Sequence, residues 1–160
     1  MTQPITGGCQ CGAIRFRVDG ELGEATICHC RMCQKAFGAL YGPFVRVKLA
    51  ELTWTRGEPA RFQSSNKVRR GFCRDCGTPL TYEEDQEIID LTIGAFDDPT
   101  PIRPVKQLAT DRAVPWVHEV PAIPHRPIGG SKGLSEFFGA IVSYQHPDHD
   151  TAEWPPRDRS

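Results

Sequence analysis

The chain has 160 residues and a formal net charge of −1, with 19 basic and 20 acidic side chains. The length suits one domain with a core of its own. The charge balance offers no basic face, which disfavours nucleic acid and anionic membrane as partners.

In chain order, "AIRFRV" alternates Ile14, Phe16 and Val18 with Arg15 and Arg17, the pattern of a half-buried strand. "EATIC" and "YGPFVRV" read as further strands, and "CQKAFGA" as one helical turn after Cys33. "LTWT" and "ARFQ" flank "RGEP", a hairpin-like turn. "VRRGFC", "PLTYE" and "EIIDLTIG" follow at short intervals. Many short strands at this spacing predict a mainly β domain with one or two short helices. From about Pro121 the composition shifts, and "PAIPHRPIGGSKG" reads as a linker. Leu134, Phe137, Phe138, Ile141 and Val142 then mark one face of an amphipathic helix, with Ser131 or Ser135 as its cap. That face should dock, either on its own β domain or, across a homodimer, on a second subunit. The expected division is one β domain over residues 1–125, then a linker, helix and frayed tail over 126–160.

The N-terminus lacks a charged segment followed by an apolar run, and no stretch is long enough to span a membrane, so a cytoplasmic protein is expected. In a reducing compartment seven cysteines point to metal rather than to disulfides. They form three groups: Cys9 and Cys11; Cys28, Cys30 and Cys33; and Cys73 and Cys76, the last followed by Gly77. "CRDCG" reads as a zinc knuckle that needs two more ligands. Pairing it with Cys9 and Cys11 gives a closed four-thiolate site. Pairing it with the triplet gives five thiolates, which zinc does not use. The first partition leaves Cys28, Cys30 and Cys33 as a three-ligand site with an open position, weaker and more exchangeable than the other. The alternatives are cysteines without metal, a triplet closed by His29 or another side chain, and an iron–sulfur cluster, for which three thiolates are one short.

Three thiolates on Zn²⁺ leave one net negative charge and a weak Lewis acid, poorly suited to ionising water. A fourth sulfur suits such a metal, and a zinc-held thiolate is a nucleophile at neutral pH. The site therefore points to a small-molecule thiol that attacks, or leaves, a small electrophilic carbon.

"GGCQCGAIRF", "CHCRMCQKAFG", "FCRDCGTPL" and "IGAFDDP", in this order, resemble the glutathione-dependent formaldehyde-activating enzyme family, also called the centromere protein V family, from about Thr6 to about Pro121. The resemblance implies a β-tent fold of stacked antiparallel sheets. It implies a structural zinc on Cys9, Cys11, Cys73 and Cys76 and a second, catalytic zinc on Cys28, Cys30 and Cys33. The implied activity is that of a carbon–sulfur lyase acting in reverse, joining glutathione to formaldehyde as S-(hydroxymethyl)glutathione. Members often carry a histidine near the strand that here reads "PVKQLA", so Lys106 is a departure.

Arg31 and Lys35 flank the triplet and are candidates to pair with glutathione carboxylates. Asp97, in "GAFDDP", is a turn cap by default and a candidate substrate contact, and Asp98 is a turn cap. His29 should point away from the metal and make supporting hydrogen bonds. Trp116 reads as core, and His146 and His149 as incidental surface histidines. The competing function is a non-catalytic zinc module that binds a protein partner. A vertebrate member of the family does so through a basic extension, which this slightly acidic chain lacks.

Overall fold

The computed structural model describes residues 4–84, 86–127 and 132–153. Among these residues ten short strands form two sheets. They are β1 (Ile5–Gly8), β2 (Arg15–Val18), β3 (Ala25–Cys28), β4 (Gly42–Lys48), β5 (Leu52–Arg56), β6 (Ala60–Gln63), β7 (Arg69–Phe72), β8 (Pro79–Glu83), β9 (Ile88–Thr92) and β10 (Lys106–Leu108). The small sheet has the order β1-β2-β5, the large one β10-β3-β4-β9-β8-β7-β6. Helix α1 spans Arg31–Phe37 and helix α2 spans Lys132–Gly139.

One core joins the sheets. Phe16 and Val18 from β2 are fully buried with Val45 and Val47 of β4, Leu80 of β8 and Leu91 of β9. Phe16 sits edge-on to Trp54 and Phe96, with ring centroids 5.9 and 5.1 Å apart, a favoured aromatic geometry. The expected mainly β architecture is present.

Several expectations need correction. The sheets are not wholly antiparallel, because β10 runs parallel to β3. "RGEP" does not close a hairpin: β5 pairs with β2, whereas β6 pairs with β7 in the other sheet. Gly57 takes a left-handed φ of 56° there, and Pro59 has no N–H to extend a ladder. The first helix starts three residues earlier than expected, with Cys30 as its N-cap, and ends at left-handed Gly38.

The tail differs most. Ser131 lies outside the described residues. Helix α2 stops at Gly139, so Ile141 and Val142 lie beyond it, and Phe137, Phe138, Ile141 and Val142 are exposed. Docking of this face on the chain's own β domain is therefore not observed, and docking on a second subunit concerns a second copy. Glycine near a helix end costs about 1 kcal/mol, consistent with the early stop.

Residues 146–151, after α2, are tied to the β domain. The His146 side chain is buried, and its backbone N–H donates to the Gln10 carbonyl at 2.8 Å. Asp150 accepts from Arg15 at 2.8 Å, and the Thr151 carbonyl accepts from Arg56. Arg15 and Arg56 lie directly opposite each other on β2 and β5. Like charges so placed repel, and the tail brings the acceptors that hold them together. His149 is exposed, and residues 154–160 lie outside the described set. Trp116, expected in the core, is half exposed beside a 3₁₀ turn.

Candidate metal centres

Two loops and two glycines build the four-cysteine cluster. Cys9 and Cys11 follow β1, and the Gly12 N–H turns back to the Cys9 carbonyl at 3.0 Å. Cys73 and Cys76 follow β7, and the Gly77 N–H turns back to the Cys73 carbonyl at 2.8 Å. Gly12 and Gly77 have φ of 77° and 79°, a region that glycine enters without a Cβ penalty. The four sulfurs lie within 4.8 Å of one another. Cys9 Sγ is 3.5 Å from Cys11 Sγ, which is 3.8 Å from Cys73 Sγ. A tetrahedron of Zn–S bonds has S–S edges of about 3.8 Å. The donor set and spacing fit a closed tetrathiolate zinc.

The surroundings prepare thiolates unevenly. Burial pushes the Cys9 thiol well above its ordinary range, and burial also raises Cys73. Burial opposes ionisation of Cys76 too, but hydrogen bonds from Thr78 and Cys11 outweigh it and bring its pKa to about 6. The Ile14 N–H donates to Cys9 Sγ at 3.3 Å. A divalent cation would supply the remaining charge.

Cys28, Cys30 and Cys33 come from the end of β3, the cap of α1 and its first turn. Their sulfurs also lie within 4.8 Å of one another, and no His, Asp or Glu among the described residues joins them. His29 is buried and turned aside: its Nε2 lies 2.8 Å from Gln107 Oε1, and its backbone N–H donates to the Leu108 carbonyl at 2.9 Å. Strand β10 thus fixes the triplet loop, and Gln34 Nε2 ties it again through the His29 carbonyl at 2.8 Å. Burial raises the Cys28 thiol. For Cys30 burial is outweighed by hydrogen bonds from the Cys33 N–H and its neighbouring thiols, and its pKa is lowered. Cys33 is pushed up to about 12 by burial, against the pull of Arg70. Three sulfurs on one side fit a zinc with an open fourth position.

The three cysteines line a cavity of about 300 Å³ together with Met32, Phe44 and Tyr82, with Arg46, Arg70 and Lys106 as its cations. Lys106 pairs with Glu24 at 2.6 Å, and Arg46 with Asp90 at 3.5 Å. Arg70 Nη2 donates to Cys33 Sγ at 3.3 Å.

The expected substrate contacts are arranged differently. Arg31 and Lys35 are exposed on α1, and Arg31 donates to Gln34 Oε1 at 3.1 Å; neither lines the cavity. Asp97 does not line it either. It stands near Cys9, bound by Arg15 at 2.7 Å and by the Thr6 hydroxyl. Burial opposes its ionisation, but Arg15 and Thr6 hold its carboxyl below the usual range. Asp98 caps its turn, accepting from the Thr100 N–H at 3.0 Å.

The sequence does not single out Arg70, and His146, expected on the surface, is buried. A signal for Arg70 was available: strand period places it on one face with Val68, a buried hydrophobe. His146 carries no such signal, since the Gln10 carbonyl and Arg56 that it meets lie far from it along the chain.

The model of the family described as glutathione-dependent formaldehyde-activating enzyme matches residues 4–112. No curated protein matches the chain. A crystal structure of a Rhodobacter sphaeroides protein has the same fold, with a TM-score of 0.52 and 23% identity over 64% of this chain and 98% of that one. Among the described residues no helix is long and apolar enough to cross a membrane. With all seven cysteines inside the matched span and gathered into two metal-compatible clusters, the chain belongs to the glutathione-dependent formaldehyde-activating enzyme family.

Proposed function

We propose that the protein joins a small thiol, glutathione in the first instance, to formaldehyde or a similar small electrophile at the Cys28–Cys30–Cys33 site. One observation carries this reading: three convergent sulfurs without a fourth protein ligand among the described residues, opening on a cavity of small-molecule size. Zinc bound there would hold an incoming thiol as its thiolate. The sulfur lone pair forms the S–C bond as the carbonyl π bond breaks, and the oxygen takes up the proton the thiol released. The product is a hydroxymethyl thioether, and the reverse reaction is a carbon–sulfur lyase step.

The chain's residues bind, orient and shield. Phe44, Met32 and Tyr82 form an apolar wall that limits water around the reacting sulfur. Lys106 and Arg46 stand on the cavity lining, where a carboxylate of the thiol could replace Glu24 or Asp90 as partner. Their position supports them as carboxylate contacts over Arg31, Lys35 and Asp97. The four-cysteine cluster has no part in the chemistry and holds the loops after β1 and β7 together. The reaction needs reduced thiols, and so a reducing compartment such as the cytoplasm.

The test is exchange spectroscopy on glutathione mixed with formaldehyde, in which free and hydroxymethylated forms interconvert. The zinc-loaded protein should raise the exchange rate in proportion to its concentration, and Cys30→Ser should abolish the increase. Equal rates with and without protein would remove the proposal.

A further inference from the structure

We infer that Arg70 is a positioning residue whose buried guanidinium biases the Cys28–Cys30–Cys33 site towards an anionic fourth ligand, a thiolate, over a neutral one. The inference rests on the thiol-binding reading above.

The neighbouring arginines have carboxylate partners. Arg61 and Arg69 share Glu83, at 2.9 and 3.1 Å. Arg46 takes Asp90, and Arg15 takes Asp97 and Asp150. Arg70 is only 4% exposed, yet among the described residues it forms no ion pair with a carboxylate. Its Nε donates to Ser64 Oγ at 3.0 Å, its Nη2 to Cys33 Sγ at 3.3 Å, and its central carbon lies 4.9 Å from the Tyr82 ring centroid. A buried cation is costly unless an opposite charge compensates it. The anion its guanidinium would meet is the metal-bound cysteine triplet, which it touches through Cys33 Sγ.

The charges then balance simply. Three thiolates on a divalent metal carry one net negative charge, and Arg70 brings the assembly to neutrality. A neutral fourth ligand leaves it neutral. A thiolate leaves one negative charge, where without Arg70 it would leave two in a partly buried site. Arg70 therefore favours the thiolate selectively. The Ser64 hydroxyl and the Tyr82 face fix the guanidinium, so the charge stands ready before the ligand arrives.

Cobalt(II) substituted for zinc makes this measurable, because its visible absorption reports the ligand set without turnover. The loaded protein is titrated at fixed pH with 2-mercaptoethanol and, separately, with imidazole, while the four-cysteine cluster's own cobalt signal monitors folding. In Arg70→Met, affinity for 2-mercaptoethanol should fall by about ten- to hundredfold, the usual consequence of removing a ligand's supporting partner. Affinity for imidazole should change by less than about threefold. Arg70→Lys, which keeps the charge but not the fork, should retain most of the thiol preference. Equal losses for both ligands in Arg70→Met, or no loss, would overturn the inference. If Arg70→Met fails to fold, Arg70→Gln, which also removes the charge, takes its place: a lost thiol preference supports the charge account, and a retained one refutes it. A wild-type protein that takes imidazole but no thiol removes the thiol-binding reading and this inference with it. A wild-type preference that survives in Arg70→Met removes this inference alone.

Discussion

The two cysteine clusters use the same side chain for opposite ends. Cys9, Cys11, Cys73 and Cys76 come from loops more than sixty residues apart and could complete a metal's coordination among themselves. Cys28, Cys30 and Cys33 come from one short loop and leave the last position to a cavity. The first cluster spends its ligands on chain closure. The second lies within a frame of backbone and glutamine hydrogen bonds from strand β10 and Gln34. Local ligands leave a site free for chemistry, while distant ligands make a site necessary for the fold.

The largest expected effect follows from that contrast. Cys76→Ser removes one of four ligands from a site that ties β1 to β7. It should lower the melting temperature by more than about 15 °C, since structural zinc carries folding energy directly. Cys30→Ser should shift it by less than about 5 °C. Calorimetry of the two variants side by side checks this, and equal losses would dissolve the distinction.

Next comes the clasp over the closed cluster. Arg15 is buried between Asp97 and Asp150. Arg15→Met leaves Asp97 without its counter-charge and should cost about 3 kcal/mol in chemical denaturation. Thiol binding at the triplet should be unaffected, because the clasp touches only the other cluster's surroundings. A loss of thiol binding would mean that the two regions are coupled.

Acid should sharpen the same asymmetry more gently. The Asp97 carboxyl ionises more readily in the folded chain than its ordinary value of 3.8, through Arg15 and Thr6 and against burial. The stabilisation is complete above that value and is lost as pH falls through the lower folded value. Burial, with Arg15 and Arg56 nearby, also lowers His146 from 6.5, so it favours folding above that pH and progressively less below it. Both contributions have the same sign: stability should decline from about pH 6.5 downward. Restoring the neutral range should reverse the decline, and the Asp97→Asn variant should show a shallower fall below pH 4 in pH-dependent melting.

Local features were legible in the sequence and distant ones were not. The partition of the thiols could be read because each group sits within six residues and zinc permits few coordination numbers. Alternation in "AIRFRV" placed Phe16 and Val18 correctly but turned Arg15 to solvent. The other face of β2 is covered by a tail segment whose distance along the chain hides it. The same limit applies to "RGEP": its residues suit a tight turn, but the pairing of β5 with β2 and of β6 with β7 decides the topology. Arg31 and Lys35 are close to the triplet in sequence, whereas the cavity draws its cations from β4, β7 and β10. Lys106, noticed only as a departure from a family pattern, is one of these.

The most direct measurement of the division between the clusters is the release of zinc to a chromogenic chelator. The zinc-loaded protein should give up one equivalent rapidly and the second only on unfolding. Glutathione should slow the rapid phase alone, and Cys30→Ser should lack that phase. Release of both equivalents in a single phase that glutathione leaves unchanged would contradict the account.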